Sequence, residues 1–254
     1  SRQAERDPGM VPEIFHFDAG QAIIVMEFLS PHIILRRALI AGQELPKIAK
    51  DLGLFLARTL FRGSDLCLDT KIRKADLALF ADNVALCDIT ESLVFSDPYY
   101  DAKLNRHTAP QLDGIVKELR ADRDLKVAAQ RLKHIFAATP ETLLHGDLHT
   151  GSVMVTAEQT RVIDPEFAFY GPMAFDVGML LANLWMSYFS QSGHETAGNR
   201  ASMRRYLLKV TVDIWEIFRD EFSRLWHSER TGILYQRALF EDQGDMLASE
   251  QALD

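Results

Sequence analysis

The sequence predicts an α+β fold dominated by helix. Three observations support this: long stretches repeat apolar residues at helical spacing, β-branched runs are few and short, and those at 152–156 and 160–164 lie between two acidic motifs. The chain has 254 residues, 47% hydrophobic and 25% charged. That composition is ordinary for a soluble domain with ample core. No repeat or low-complexity tract interrupts it.

Taken in order, Ser1 to Asp7 is charged and breaks at Pro8-Gly9. Ala22 to Phe28 is β-branched and reads as a buried strand, ended by Leu29-Ser30-Pro31. From Leu45 to Leu60 the apolar residues form a helical stripe, with Pro46 in the first turn. Asp97 to Asp101 reads as a loop. Helical patterns follow over Ile115–Leu119 and Leu125–Phe136, the second stopping before Pro140. Ser152–Thr156 and Thr160–Asp164 read as a hairpin joined by Ala157-Glu158-Gln159. Phe175–Tyr188 is helical and apolar enough to predict burial. Met203–Trp226 is a long packing helix. Trp185, Trp215 and Trp226 are expected in the core.

The formal charge of -8 argues against a nucleic-acid or anionic-membrane surface. No apolar run reaches the roughly 18 residues that span a bilayer; Met179 to Phe189 is interrupted by Asn183 and Ser187. There is no basic-then-apolar leader. Cys67 and Cys87 lack metal-ligand or CxxC spacing and read as two reduced thiols, so a cytoplasmic address is expected. The chain opens at Ser1 in place of Met and ends in a polar stretch, which reads as an excised or partial chain.

Chemistry concentrates in His145-Gly146-Asp147-Leu148-His149-Thr150-Gly151-Ser152 and, soon after, Val162-Ile163-Asp164-Pro165-Glu166. An apolar run, Thr142-Leu143-Leu144, delivers Asp147 onto a Gly-containing turn. A carboxylate so placed suits the base or orienting group that phosphoryl transfer requires at the attacking hydroxyl. Pro165 is expected to push Asp164 into extended geometry. Residues i and i+2 then face one side, so Asp164 and Glu166 converge on one metal. Mg²⁺ favours one or two carboxylates completed by phosphate oxygens and water. His145 reads as a brace for the loop. His149 reads either as a substrate contact or as another brace. Asp176 reads as a helix N-cap or as a buried carboxylate accepting backbone N–H bonds from the catalytic loop. No GxxxxGK[ST] is present.

The residues His145 to Met154 and Val162 to Gly178 resemble the signature of the 5-methylthioribose kinase family. That family lies in the aminoglycoside-phosphotransferase-like branch of the protein-kinase fold. Cys87–Glu91, Leu93–Tyr100 and Val25–Leu29 add to the resemblance, which runs from about Val11 to about Asp242. The wider branch usually has Asn at the position of Ser152 and a plain Asp at the second motif. The Glu of Asp-Pro-Glu points to the methylthioribose kinases.

The resemblance implies a C-terminal kinase lobe over 29–254, preceded by a remnant of the N-terminal lobe and the hinge strand over 1–28. It implies ATP and Mg²⁺ as cofactors, with Asp164 and Glu166 holding the metal. Met26, Glu27 and Phe28 would carry the adenine edge. Asp147 would be the catalytic aspartate, with His149 and Ser152 near the substrate and His145 and Asp176 structural. The implied reaction phosphorylates the anomeric hydroxyl of the thiosugar in methionine salvage, with no nucleic-acid or membrane partner. A homodimer is implied by resemblance alone.

Two features of that family, a glycine-rich loop with a phosphate lysine before the hinge and an arginine pair near the C-terminus, do not occur in these residues. Two alternatives stay open: another small-molecule kinase of the choline, homoserine or aminoglycoside branch, or a catalytically inert kinase-like fragment.

Overall fold

The computed structural model describes residues 2–196 and 198–253. Helix α1 (Arg2–Arg6) leads into an antiparallel hairpin, β1 (Ile14–Asp18) and β2 (Ile23–Met26), then β3 (Ile33–Ile34). Helices α2 (Leu35–Ile40), α3 (Ile48–Arg62), α4 (Thr70–Phe80), α5 (Val84–Leu93), α6 (Asp113–Ala121) and α7 (Arg123–Ala138) follow. Four short strands come next: β4 (Thr142–Leu143), β5 (Val153–Val155), β6 (Thr160–Val162) and β7 (Tyr170–Gly171). Helices α8 (Met173–Ser190), α9 (Ala201–Glu229) and α10 (Met246–Leu253) complete the chain. This is the helix-dominated α+β class expected.

The core is built by α2, α3, α8 and α9 against the β5–β6 hairpin, with Leu52, Leu56, Leu144, Leu148, Val153, Leu180, Leu207 and Ile214 all fully buried. Helices α3 and α9 approach most closely at Gly53. A Cβ there would lie 2.9 Å from Ile217 Cβ and 3.0 Å from the Ile214 carbonyl oxygen, so only glycine admits this contact. At the far end of the pair, Arg58 Nη1 donates to Asp7 at 2.9 Å and its Nε donates to Glu221 at 2.9 Å, while Arg224 reaches Glu221 at 2.7 Å. The ion network ties the end of α1, α3 and α9 together beside a second buried apolar cluster of Ala57, Phe61, Leu225 and Trp226.

A second cluster of rings joins α7, α8 and the loop after β6. Phe136 lies 4.6 Å from Phe169 and 4.8 Å from Phe175, centroid to centroid. Tilted contacts of this kind are favourable for aromatic quadrupoles and fix the loop against two helices.

Several expectations are corrected. The β2 strand forms, but it is exposed along its length. It pairs only with β1, and no second layer covers either face among the described residues. Helix α8 buries Val177, Leu180 and Leu184, yet leaves Trp185, Met186 and Phe189 exposed. Its apolar content exceeds what one packed face absorbs. Of the three tryptophans only Trp226 is core; Trp185 and Trp215 are both nearly half exposed. Helix α3 starts at Ile48, so Pro46 precedes it.

Candidate active site

The strand pairings explain why two distant motifs meet. Strand β4 runs into the His145–Ser152 loop, and β6 runs into the Asp164–Phe169 loop. Strand β5 pairs in register with β6, and β4 pairs with β7, Thr142 opposite Gly171 and Leu143 opposite Tyr170. Because the β5–β6 pair is nested inside the β4–β7 pair, both loops emerge side by side. Each loop is pinned to the other at both ends. The Ile163 N–H donates to the Ser152 carbonyl at 2.9 Å, and the Leu144 N–H donates to the Phe169 carbonyl at 2.9 Å.

Within this frame the turn of the His145–Ser152 loop is forced by sequence. Gly146 has φ 82°, and a Cβ on it would lie 2.1 Å from the Phe167 carbonyl oxygen. Only glycine allows that approach. Asp176, on the first turn of α8, accepts the N–H of His145 at 2.7 Å and of Gly146 at 3.0 Å. It is 2% exposed, and burial pushes its carboxyl above the ordinary range while the two N–H bonds oppose that rise. The residue capping α8 is Pro172.

His145 links the two loops. Its Nδ1 accepts the Asp147 N–H at 3.3 Å, which leaves the proton on Nε2, donated to the Ile163 carbonyl at 2.9 Å. Ser152 Oγ donates to the Asp147 carbonyl at 2.9 Å. The Asp147 backbone is therefore held at both its N–H and its C=O, and its side chain is about one-third exposed.

Asp164 departs from expectation. It has φ 64° and lies in the left-handed region, not in extended chain. Proline acts on the preceding residue chiefly by excluding the right-handed helical region, and aspartate is among the few residue types that enter the left-handed one. The strand-like alternation of Asp164 and Glu166 therefore does not apply across this turn. Both side chains are exposed, and among the described residues no three acids, imidazoles or thiols converge as a ready metal cage. Two solvent-facing carboxylates on one turn do match the donor set of Mg²⁺, which takes its remaining ligands from phosphate and water.

A cavity of about 170 Å³ brings Met26, His145, Ile163, Asp164 and Pro165 to one place, floored by Phe55 and Val162. Glu27 and Phe28 do not line it. Glu27 hydrogen-bonds back to Glu13, and Phe28 is 90% exposed. Glu166 also lies outside the cavity wall.

Two positioning residues were not singled out from sequence. Asn83, at the joint of α4 and α5, donates from Nδ2 to the Glu166 carbonyl at 2.8 Å and the Ala168 carbonyl at 3.0 Å. Nothing local marks it, because its partners lie over eighty residues downstream. Asn183 Oδ1 accepts the Thr150 hydroxyl at 2.8 Å and the Thr150 N–H at 3.3 Å. Its signal was the polar break in the apolar helix.

Comparison with known proteins bears on family and fold. The model of the phosphotransferase enzyme family matches residues 2–207. Methylthioribose kinase 1 of Oryza sativa subsp. japonica is 47% identical over 227 residues, covering 89% of this chain and 53% of that protein. Methylthioribose kinase of Escherichia coli is 42% identical over 243 residues, covering 95% and 58%. The chain thus spans little more than half the length of these relatives. Glucosamine kinase in complex with glucosamine, ADP and inorganic phosphate superposes with TM-score 0.53 at 17% identity, covering 90% of this chain and 60% of that one, which speaks to fold alone. With a family match across four-fifths of its length and the two acidic loops nested on paired strands, the chain belongs to the phosphotransferase enzyme family.

Proposed function

We propose that the protein carrying this chain is an ATP-dependent kinase that phosphorylates the anomeric hydroxyl of 5-methylthioribose, a step of methionine salvage. The observation that supports it most directly is the cross-pinning of the Asp147 loop to the Asp164–Phe169 loop. It fixes Asp147, about one-third exposed, on a loop tied to the one that carries Asp164 and Glu166, two carboxylates suited to a metal. The methylthioribose kinases that the chain resembles supply the substrate class.

In this reading residues 29–254 are the kinase C-terminal lobe, and residues 1–28 are the hinge strand with the end of an N-terminal lobe. Asp147 accepts or orients the proton of the attacking hydroxyl. Asp164 and Glu166 would hold Mg²⁺, which supplies charge neutralisation on the transferring phosphate. Met26, on the wall shared with Asp164, borders the nucleotide base. His145 and Asp176 hold the loop, and Ser152 fixes the Asp147 carbonyl. Among the described residues no helix is long and apolar enough to cross a membrane, and a cytoplasmic homodimer is part of the same reading.

The test is ADP release by the natural-length protein with methylthioribose, choline, homoserine, glucosamine and an aminoglycoside. Turnover is expected with methylthioribose above all others. Strong turnover confined to a compound that is not a thiosugar overturns the substrate assignment.

A further inference from the structure

His149, like His145, has partners at both ring nitrogens, but its second partner is the side chain of Asp147. Its Nδ1 accepts the Gly151 N–H at 2.9 Å and the Ser152 N–H at 3.0 Å. The Ser152 hydroxyl also lies 3.1 Å from that nitrogen, but its proton is directed to the Asp147 carbonyl. A ring nitrogen that receives two N–H donors presents its lone pair, so the imidazole is neutral with its proton on Nε2. That Nε2 stands 3.4 Å from Asp147 Oδ2.

The ring's position is built in. A Cβ at Gly151 would lie 2.5 Å from His149 Cε1 and 2.9 Å from Nδ1, so glycine is what makes room for the imidazole. The neighbouring Thr150 is anchored to Asn183 on α8, and its carbonyl receives the N–H of Arg36 on α2 at 2.9 Å. The ring is thereby fastened to main chain on one side, with its Nε2 3.4 Å from the carboxylate on the other.

We propose that His149, in its neutral Nε2–H form, is the positioning residue for Asp147. It occupies Oδ2, sets the carboxylate rotamer, and leaves Oδ1 for the hydroxyl of the acceptor. At 3.4 Å the pair is long and not aligned as a hydrogen bond; in the proposal it closes when the acceptor binds, as catalytic contacts commonly do. This inference deepens the kinase reading and rests on Asp147 having the role assigned above. His149 itself touches neither reacting atom.

The experiment uses the natural-length protein and the variant His149→Asn. The shorter amide oxygen can take the place of Nδ1 as acceptor for Gly151 and Ser152, but no donor then reaches Asp147. The expected result is a fall in kcat of about 10- to 100-fold, the scale of a displaced catalytic group. KM for both substrates should stay within about twofold, with an unchanged Tm. A kcat like that of the parent, or a loss expressed only in KM or Tm, overturns the proposal.

Long-range ¹H–¹⁵N correlation of the His149 ring in the parent protein gives a readout independent of turnover. A protonated Nε2 with a bare Nδ1 supports the proposal, and a protonated Nδ1 overturns it whether or not the variant folds. If the parent turns over none of the candidate acceptors, it is the functional reading that fails, and the ring spectrum still decides the tautomer.

Discussion

The β1–β2 hairpin and the β5–β6 hairpin are both antiparallel pairs rich in β-branched or aromatic residues, yet their surroundings are opposite. Val153, Val155 and Val162 of the second are at most 2% exposed, whereas Phe17 and Ile24 of the first are 64% and 53% exposed. The second is covered by α2 and α3 and nested inside the β4–β7 pair, so its ends help pin the two acidic loops. The first has one pairing partner and no covering layer among the described residues. Residue type supplies the tendency to extend, while burial depends on what lies across the face. The loops that carry Asp147 and Asp164 accordingly leave from the ends of the covered hairpin and its flanking pair.

The contrast can be broken most severely at the carboxylate the covered hairpin presents. In the natural-length protein, Asp147→Ala should lower kcat by a thousandfold or more with little change in Tm, because the side chain makes no core contact. Residual turnover above about one-tenth of the parent's would remove Asp147 from the centre of the scheme.

Next comes the group that holds the turn from below. Asp176→Ala strands two buried N–H groups, at a cost of about 2–4 kcal/mol in unfolding free energy, and should also lower kcat. Chemical denaturation measures the first and steady-state kinetics the second. A loss under about 0.5 kcal/mol would show that water replaces the carboxylate freely.

The metal assignment is probed by Asp164→Asn and Glu166→Gln. Each is expected to raise the Mg²⁺ concentration for half-maximal nucleotide binding by about tenfold, roughly 1.4 kcal/mol. Unchanged Mg²⁺ dependence in both would refute it.

A direct comparison of the hairpins uses one substitution in each, in this 254-residue chain. Val153→Ala should destabilise by about 1–2 kcal/mol through lost contacts and a small cavity. Phe17→Ser should move stability by no more than about 0.5 kcal/mol. Equal effects would mean that the first hairpin is packed in solution.

The smallest effect is electrostatic and lies at the α3–α9 end. Arg224 and Arg58 hold the Glu221 carboxyl down to about 2, against an ordinary 4.5. The folded form therefore binds this proton less readily than the unfolded chain. Its stabilising contribution is complete above the ordinary value and is lost as pH falls from about 4.5 through about 2. With Arg224 half exposed, the contribution is on the order of 1 kcal/mol. Arg58→Ala should flatten that part of the Tm–pH curve; an unaltered slope would assign it to other carboxyls.

Legibility in the sequence followed the apolar stripe rather than packing depth: α6, with no buried residue, was read, and the short buried α2 was not. Helices α3, α7, α8 and α9 carry apolar stripes because each presses a face into the core or the ring cluster, and the β5–β6 hairpin was found within one or two residues at each end. Helices α4 and α5 escaped because their buried positions are Arg73, Asp76 and Thr90, which leave no stripe to detect. A readable mark remained at Asp69, whose side chain caps α4 by accepting from Lys71 and Ile72. At the site, the residue types of both loops were legible, but the left-handed turn at Asp164 and the clamp from Asn83 were not.

By itself the sequence determined which chemistry was present: the acids, the glycine that permits the Asp147 turn, the histidines and the helical periods are all local properties of the chain. Tertiary structure alone decided that the Asp147 and Asp164 loops are pinned side by side, which groups each histidine nitrogen meets, and which apolar strand is covered. Those depend on strand pairing and on hydrogen-bond partners brought from distant residues. Spacing along a chain carries no record of contacts that exist only after it closes on itself.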